Sequence, residues 1–83
     1  MYICVGKSEF GFCALKRVIR FTVGKHFYEI REEGNEHYLV TQDNRKIKIR
    51  GFTINTDLVV IVSEEPLDEK DWAICKSIEE LGD

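Results

Sequence analysis

The chain has 83 residues, of which 43% are hydrophobic and 11% aromatic, which is the composition of one small globular domain and not of a disordered segment. The net charge of −3 disfavours general nucleic-acid binding, because that affinity comes mainly from neutralising phosphates. The longest uninterrupted apolar run, residues 58–62, is too short to cross a membrane, and we expect no secretory signal because no charged and then apolar leader opens the chain.

Short strands are predicted along most of the chain. Residues 2–5 form the first apolar run, and Phe10-Gly11-Phe12 follows it either as a loop anchored on the core or as an exposed aromatic contact surface. Residues 14–23 fit a helix face or a strand, and their β-branched and aromatic side chains favour the strand.

Four further segments, 26–32, 37–41, 45–50 and 58–62, have strand character. Turn residues separate several of them, and Gly51 allows a bend. We therefore predict an antiparallel meander of five or six strands over residues 1–63, which closes into a small β-barrel because closure removes its edges.

The C-terminal part, residues 64–83, changes character after Pro66. Asp68 or its neighbour can cap a helix that runs to about Leu81. One stripe of this helix carries Ile74, Cys75, Ile78 and Leu81. The sequence thus predicts an acidic C-terminal helix that docks on the barrel, or on another chain, within a single domain.

The three cysteines, Cys4, Cys13 and Cys75, do not have the spacing of a disulfide framework or of a zinc site. We expect Cys4 and Cys75 to be small core residues and the protein to occupy a reducing cytoplasm. The two histidines are too few to hold a metal alone, and no glycine-rich nucleotide loop is present. We predict no metal and no cofactor.

Several short motifs resemble those of small SH3-like β-barrel proteins of bacteriophages and prophages. The matching residues are Cys4, Thr22-Val23-Gly24-Lys25, Tyr28-Glu29-Ile30, Tyr38-Leu39-Val40 and Asp43-Asn44, within residues 2–62. The resemblance implies an SH3-like fold. It also implies a role in binding a host protein or a nucleic acid, and not in catalysis.

The chain departs from the family pattern at two points. Tyr28 and Ile30 fit the pattern only with one extra residue, which predicts a β-bulge near His26 and Phe27. The family turn ends in glycine where Arg45 stands here. Residues from 63 onward lie outside the resemblance.

No pair of side chains has the signature of a catalytic centre. The carboxylates are expected in exposed turns or on the helix, and a Cys–His pair has no supporting motif. We predict that the protein is not an enzyme and has no catalytic residues.

A basic strand face is one candidate binding surface. Lys46, Lys48 and Arg50 alternate along one strand, so their charges lie about 7 Å apart, near the phosphate repeat of a nucleic-acid strand. Aromatic side chains do not interleave with them, and an ordinary solvated face is the alternative.

The acidic C-terminal segment is the other candidate. Its partner-binding residues are Trp72, Glu69, Asp71, Glu79 and Glu80. Tryptophan is a frequent interface anchor, although Trp72 could instead close the end of the barrel.

Charge is divided unevenly between the two parts of the chain. Residues 1–50 carry ten basic and six acidic side chains, whereas residues 51–83 carry two and nine. This asymmetry can steer a charged partner or attract a second copy head to tail, or it can reflect two ordinary solvated surfaces.

Together these observations predict a non-enzymatic protein-interaction module that binds and modulates a bacterial host protein in the cytoplasm. A homodimer formed through the helix or a barrel edge is a further partner prediction. Nucleic acid is the less favoured partner, and no membrane interaction is expected.

Overall fold

A computed structural model describes residues 1–9, 11–55 and 57–78 of the chain. Within them lie eight strands: β1 (Tyr2–Lys7), β2 (Phe12–Leu15), β3 (Val18–Val23), β4 (His26–Glu33), β5 (Glu36–Thr41), β6 (Lys46–Asn55), β7 (Leu58–Ser63) and β8 (Ile74–Ser77). The strands form one antiparallel sheet in the order β2-β3-β4-β5-β6-β7-β1-β8.

Tight turns between successive strands set the register of this sheet. Two-residue turns join β3 to β4 and β4 to β5, and each begins with a glycine at positive φ, 64° for Gly24 and 63° for Gly34. Such turns match the twist of the strands that they connect. Apolar side chains then fall on one face by simple alternation.

The core lies on one face of the sheet, which curls around it. Its members come from six strands and the segment before β8, and each is at most 6% exposed: Cys4, Phe21, Val23, Tyr28, Ile30, Leu39, Ile47, Ile49, Val59, Ile61, Leu67 and Trp72. Gly6 of β1 shows how closely the curled sheet packs, because a side chain there would collide with Val23 of β3 and with Trp72.

The prediction of a five- or six-stranded SH3-like barrel with a C-terminal helix is wrong. The sheet is open and has eight strands, and residues 74–77 of the predicted helix form β8, which pairs with β1 from Tyr2↔Ser77 to Val5↔Ile74. A short apolar run fits either periodicity. Here strand pairing wins because β1 offers an unpaired edge, which β8 satisfies with backbone hydrogen bonds.

The predicted β-bulge near His26 and Phe27 is also wrong. The two residues pair in regular register with Val23 and Thr22, because the turn at residues 24–25 lets β4 begin at His26. The register shift lies instead between Ile49 and Gly51, where β6 pairs with β7.

Cys4 and Cys75 pair directly across β1 and β8 and form a disulfide, so the prediction that these cysteines form none is wrong. The prediction that both contribute to the core is confirmed, since Cys4 is fully buried and Cys75 packs against the core. Cys13 of β2 is free and exposed. No helix in the described part of the chain is long and apolar enough to span a membrane.

Candidate functional site: an acidic loop and its cleft

The segment between β7 and β8, residues 64–73, is here called the acidic loop. Two of its side chains, Leu67 and Trp72, are buried in the core at 5% and 1% exposure. Its start is fixed by the Ser63 hydroxyl, which donates to the Glu65 carbonyl at 2.6 Å. A single turn follows, in which the Asp68 carbonyl accepts the N–H of Trp72 at 2.9 Å. The loop is therefore held at both ends.

Asp71 fixes the loop to the sheet. Its side chain is only 4% exposed, and its Oδ2 accepts hydrogen bonds from the Tyr28 hydroxyl at 2.6 Å and from His26 Nδ1 at 2.7 Å. Because a carboxylate only accepts, the imidazole proton on this side sits on Nδ1. Asp71 Oδ1 lies against Gly24, at a point that a side chain would occupy.

Tyr28 links this hydrogen-bond network to the core. Its ring meets the Trp72 ring edge to face, with centroids 5.4 Å apart. Burial and the hydrogen bond to Asp71 raise the pKa of Tyr28 well above its usual range, against a smaller lowering by Trp72. Tyr28 therefore stays protonated and remains a donor to Asp71.

A cleft of about 340 Å³ opens beside these residues. The acidic loop forms one wall with Leu67, Asp68 and Asp71, and the β5–β6 turn forms the other. The remaining lining residues are His26, Tyr28, Thr41, Gln42, Asp43, Arg45 and Ile47. The cleft thus combines apolar side chains with three carboxylates and one guanidinium, that of Arg45, so its charged lining is acidic on balance and it can receive a side chain that has an apolar stem and a cationic head.

The predicted partner-binding residues are only partly brought together. Glu69 is exposed at the tip of the acidic loop, Asp71 is held in the hydrogen-bond network, and Trp72 is buried in the core. Glu79 and Glu80 lie outside the described residues.

Sequence reasoning missed His26 and Tyr28 as partners of Asp71, and it placed every carboxylate at the surface. The contacts join residues 45 and 43 positions apart in the chain, so no local pattern reports them.

The basic strand face is neutralised by neighbouring carboxylates. Lys46 pairs with Glu33, Lys48 Nζ lies 3.0 Å from Glu36 Oε1, and Arg50 Nη2 lies 3.3 Å from Glu64 Oε1. All three predicted cations therefore have an acidic partner.

These ion pairs also shift titrations. Lys48 lowers the pKa of Glu36, and Glu36 raises the pKa of Lys48. Both groups remain charged at neutral pH.

Comparison of the chain with protein-family models, with curated proteins and with solved structures finds no match. The described residues also contain no group of three or more histidine, cysteine or carboxylate side chains placed to hold a metal ion.

Proposed function

We propose that the protein is a non-enzymatic interaction module in which the acidic loop and its cleft bind a basic segment of a partner protein. The observation that carries this proposal is the way in which the loop is held. Buried Leu67, Asp71 and Trp72 fix it, while Glu65, Asp68 and Glu69 remain exposed. A fixed loop loses little conformational entropy on binding.

The charge of the loop supports a basic partner. Within the described part of the chain, Glu65, Asp68 and Glu69 take part in no ion pair, unlike Glu64, which pairs with Arg50. Unpaired carboxylates steer a positively charged segment and increase its association rate. The cleft adds a place for one lysine or arginine side chain, whose stem would pack against Ile47 and Leu67.

The resemblance described above suggests a bacterial host protein as the partner. Nucleic-acid binding through Lys46, Lys48 and Arg50 is the less favoured function because each cation is already paired with a carboxylate.

The test is affinity capture from a bacterial lysate, with the captured protein identified by mass spectrometry. The double variant Glu65→Gln/Glu69→Gln should weaken capture on the order of tenfold and flatten its salt dependence. The control, Glu32→Gln/Asp57→Asn, removes the same net charge outside the loop, from carboxylates that pair with His37 and Lys7, and should capture as the unmodified protein does.

Equal capture by both double variants would refute the role of the acidic loop. Trp72→Ala is not a useful variant, because removing a side chain that is 1% exposed would destabilise the core.

A further inference from the structure

Strand β2 is an edge of the sheet that nothing in the described chain covers. It pairs with β3 alone, and all four of its residues are exposed, including Phe12 at 52% and Leu15 at 61%. Exposed edges with apolar side chains are sites where another strand adds.

The core face of the sheet is incomplete at this edge. Phe12 lies opposite Phe21, which is buried, and Ala14 lies opposite Ile19, which packs against the core. Residues directly opposite each other share a face, so Phe12 and Ala14 extend the apolar face past the side chains that fill it.

The backbone of β2 has a defined pattern of free groups. A two-residue turn joins Leu15 to Val18, with Lys16 at a φ of 53°. The residues that flank such a turn, Leu15 and Val18, form a hydrogen-bonded pair, and hydrogen-bonded and non-hydrogen-bonded pairs alternate along the strands from there. Phe12 and Ala14 are therefore in non-hydrogen-bonded pairs, and their N–H and C=O groups point away from β3.

We propose that β2 pairs with β2 of a second copy of this chain and joins the two sheets across a twofold axis. The outward N–H and C=O groups of Phe12 and Ala14 determine the register of this pair. Phe12 exchanges hydrogen bonds with Ala14 of the other copy, and Ala14 exchanges them with Phe12 of the other copy. The two Cys13 residues then face each other as a non-hydrogen-bonded pair, with Cα atoms about 4.5 Å apart.

Charge favours a second copy as the occupant. In this antiparallel arrangement the turn before β2, which carries Glu9, lies at the same end of the pair as the β2–β3 turn of the other copy, which carries Lys16 and Arg17, and the twofold axis repeats this match at the opposite end. Glu9, Lys16 and Arg17 are exposed, and none has an ion pair among the residues that the structure describes. An antiparallel pair thus brings each acidic end beside a basic end. This interface is separate from the acidic loop, so it stands or falls independently of the proposed function.

The experiment measures mass in solution by sedimentation, together with cross-linking by a short bis-maleimide. The unmodified protein should sediment at twice the mass of one chain, and the cross-linker should join the two chains through Cys13. Ala14→Pro removes an N–H that points away from β3 and should give a monomer, whereas Ala14→Thr keeps this N–H and should remain a dimer. Cys13→Ser should remain a dimer that does not cross-link.

If Ala14→Pro does not fold, as judged by circular dichroism, Phe12→Lys replaces it, because it places a charge on the same interface at an exposed position. Ile74→Lys makes the same kind of change on the opposite edge of the sheet and should leave the dimer intact. A monomeric unmodified protein would overturn the proposal, and so would a dimer that survives Phe12→Lys, whether or not Ile74→Lys disrupts it.

Discussion

Gly24 needs both a positive φ and the absence of a side chain next to Asp71, whereas Gly34 needs only the positive φ. Both glycines begin two-residue turns at nearly the same positive φ. A Cβ at Gly24 would strike the Asp71 carboxylate and backbone, whereas a Cβ at Gly34 would meet nothing within 4 Å. We expect Gly34→Ala to lower the free energy of unfolding by about 1–2 kcal/mol, which is the cost of placing an alanine in the left-handed backbone conformation.

Gly24→Ala carries the same backbone cost, and it must also displace Asp71 from its hydrogen bonds. Its loss should exceed that of Gly34→Ala by about 1–3 kcal/mol, the cost of unmade buried hydrogen bonds. Urea unfolding of both variants measures the difference. Equal losses would mean that Asp71 does not fix the acidic loop against this turn.

Glu29 should make the stability depend on acid. Desolvation acts to raise its pKa, but hydrogen bonds from Arg31 and Arg20 outweigh this effect, so the pKa of Glu29 lies below its ordinary 4.5. A lowered folded-state pKa stabilises the protein above the unfolded pKa, and this contribution is lost as the pH falls from about 4.5 through the lower folded value.

Glu29→Gln should therefore lower the free energy of unfolding by about 1 kcal/mol at pH 7. The difference in the free energy of unfolding between Glu29→Gln and the unmodified protein should disappear in strong acid, where Glu29 is protonated in both the folded and the unfolded state. Denaturant unfolding across this pH range measures the difference in the free energy of unfolding, with Glu65→Gln, an exposed carboxylate that has no ion pair among the described residues, as the control. A gap that is constant with pH would contradict the role of the Glu29 charge.

At the scale of elements, β8 is the least expected strand, and the Cys4–Cys75 disulfide joins it to β1. Thiol titration of the unreduced protein should find one reactive thiol, on Cys13. Reduction should lower the free energy of unfolding by about 2–4 kcal/mol, because the bond closes a long loop between residues 71 positions apart.

The control for this prediction is Cys13→Ser, which should leave both the disulfide and the stability unchanged. Three reactive thiols in the unreduced, unfolded protein would contradict the bond.

An element could be predicted from the sequence when its own residues and the adjacent turns specify it. Alternating segments with their own turn residues, such as 26–32 and 37–41, were correctly predicted as strands and became β4 and β5. β8 could not be predicted in this way, because its four residues become a strand only by pairing with β1 at the other end of the chain. The exposure of the edge strand β2 could not be predicted from local sequence either, because it depends on how far the packed core extends across the sheet.

The candidate site shows the same division. The acidic character of residues 64–71 is visible in the sequence, and Glu69 lies at the surface. The buried state of Asp71 depends on His26 and Tyr28, two residues of a distant hairpin. Local sequence therefore indicated the charge of the loop but not the contacts that hold it.

At the scale of the whole molecule, the position of side chains without an ion pair indicates which surface can bind a charged partner better than the net charge does. Among the described residues, the basic side chains of β6 are matched by carboxylates on neighbouring segments, while Glu65, Asp68 and Glu69 of the acidic loop are not. The β2–β3 turn carries the opposite sign in Lys16 and Arg17. The acidic loop and the β2–β3 turn are therefore two exposed surfaces of opposite predominant charge, each available to its own partner.

This division predicts how the protein responds to nucleic acid. The unmodified protein should not be retained on mixed-sequence single-stranded DNA at about 50 mM salt, because Lys46, Lys48 and Arg50 are already neutralised. Neutralising their partners in Glu33→Gln/Glu36→Gln/Glu64→Gln removes three negative charges and frees the cations. That triple variant should bind, with an affinity that falls steeply as salt is added.

A second variant separates this local effect from the change in net charge. Glu65→Gln/Asp68→Asn/Glu69→Gln removes the same three charges from the acidic loop but leaves the β6 ion pairs intact. If both triple variants bind equally, net charge alone controls the interaction. If the unmodified protein binds with a steep salt dependence, the basic strand face acts on nucleic acid despite its ion pairs, and nucleic-acid binding replaces protein binding as the favoured function.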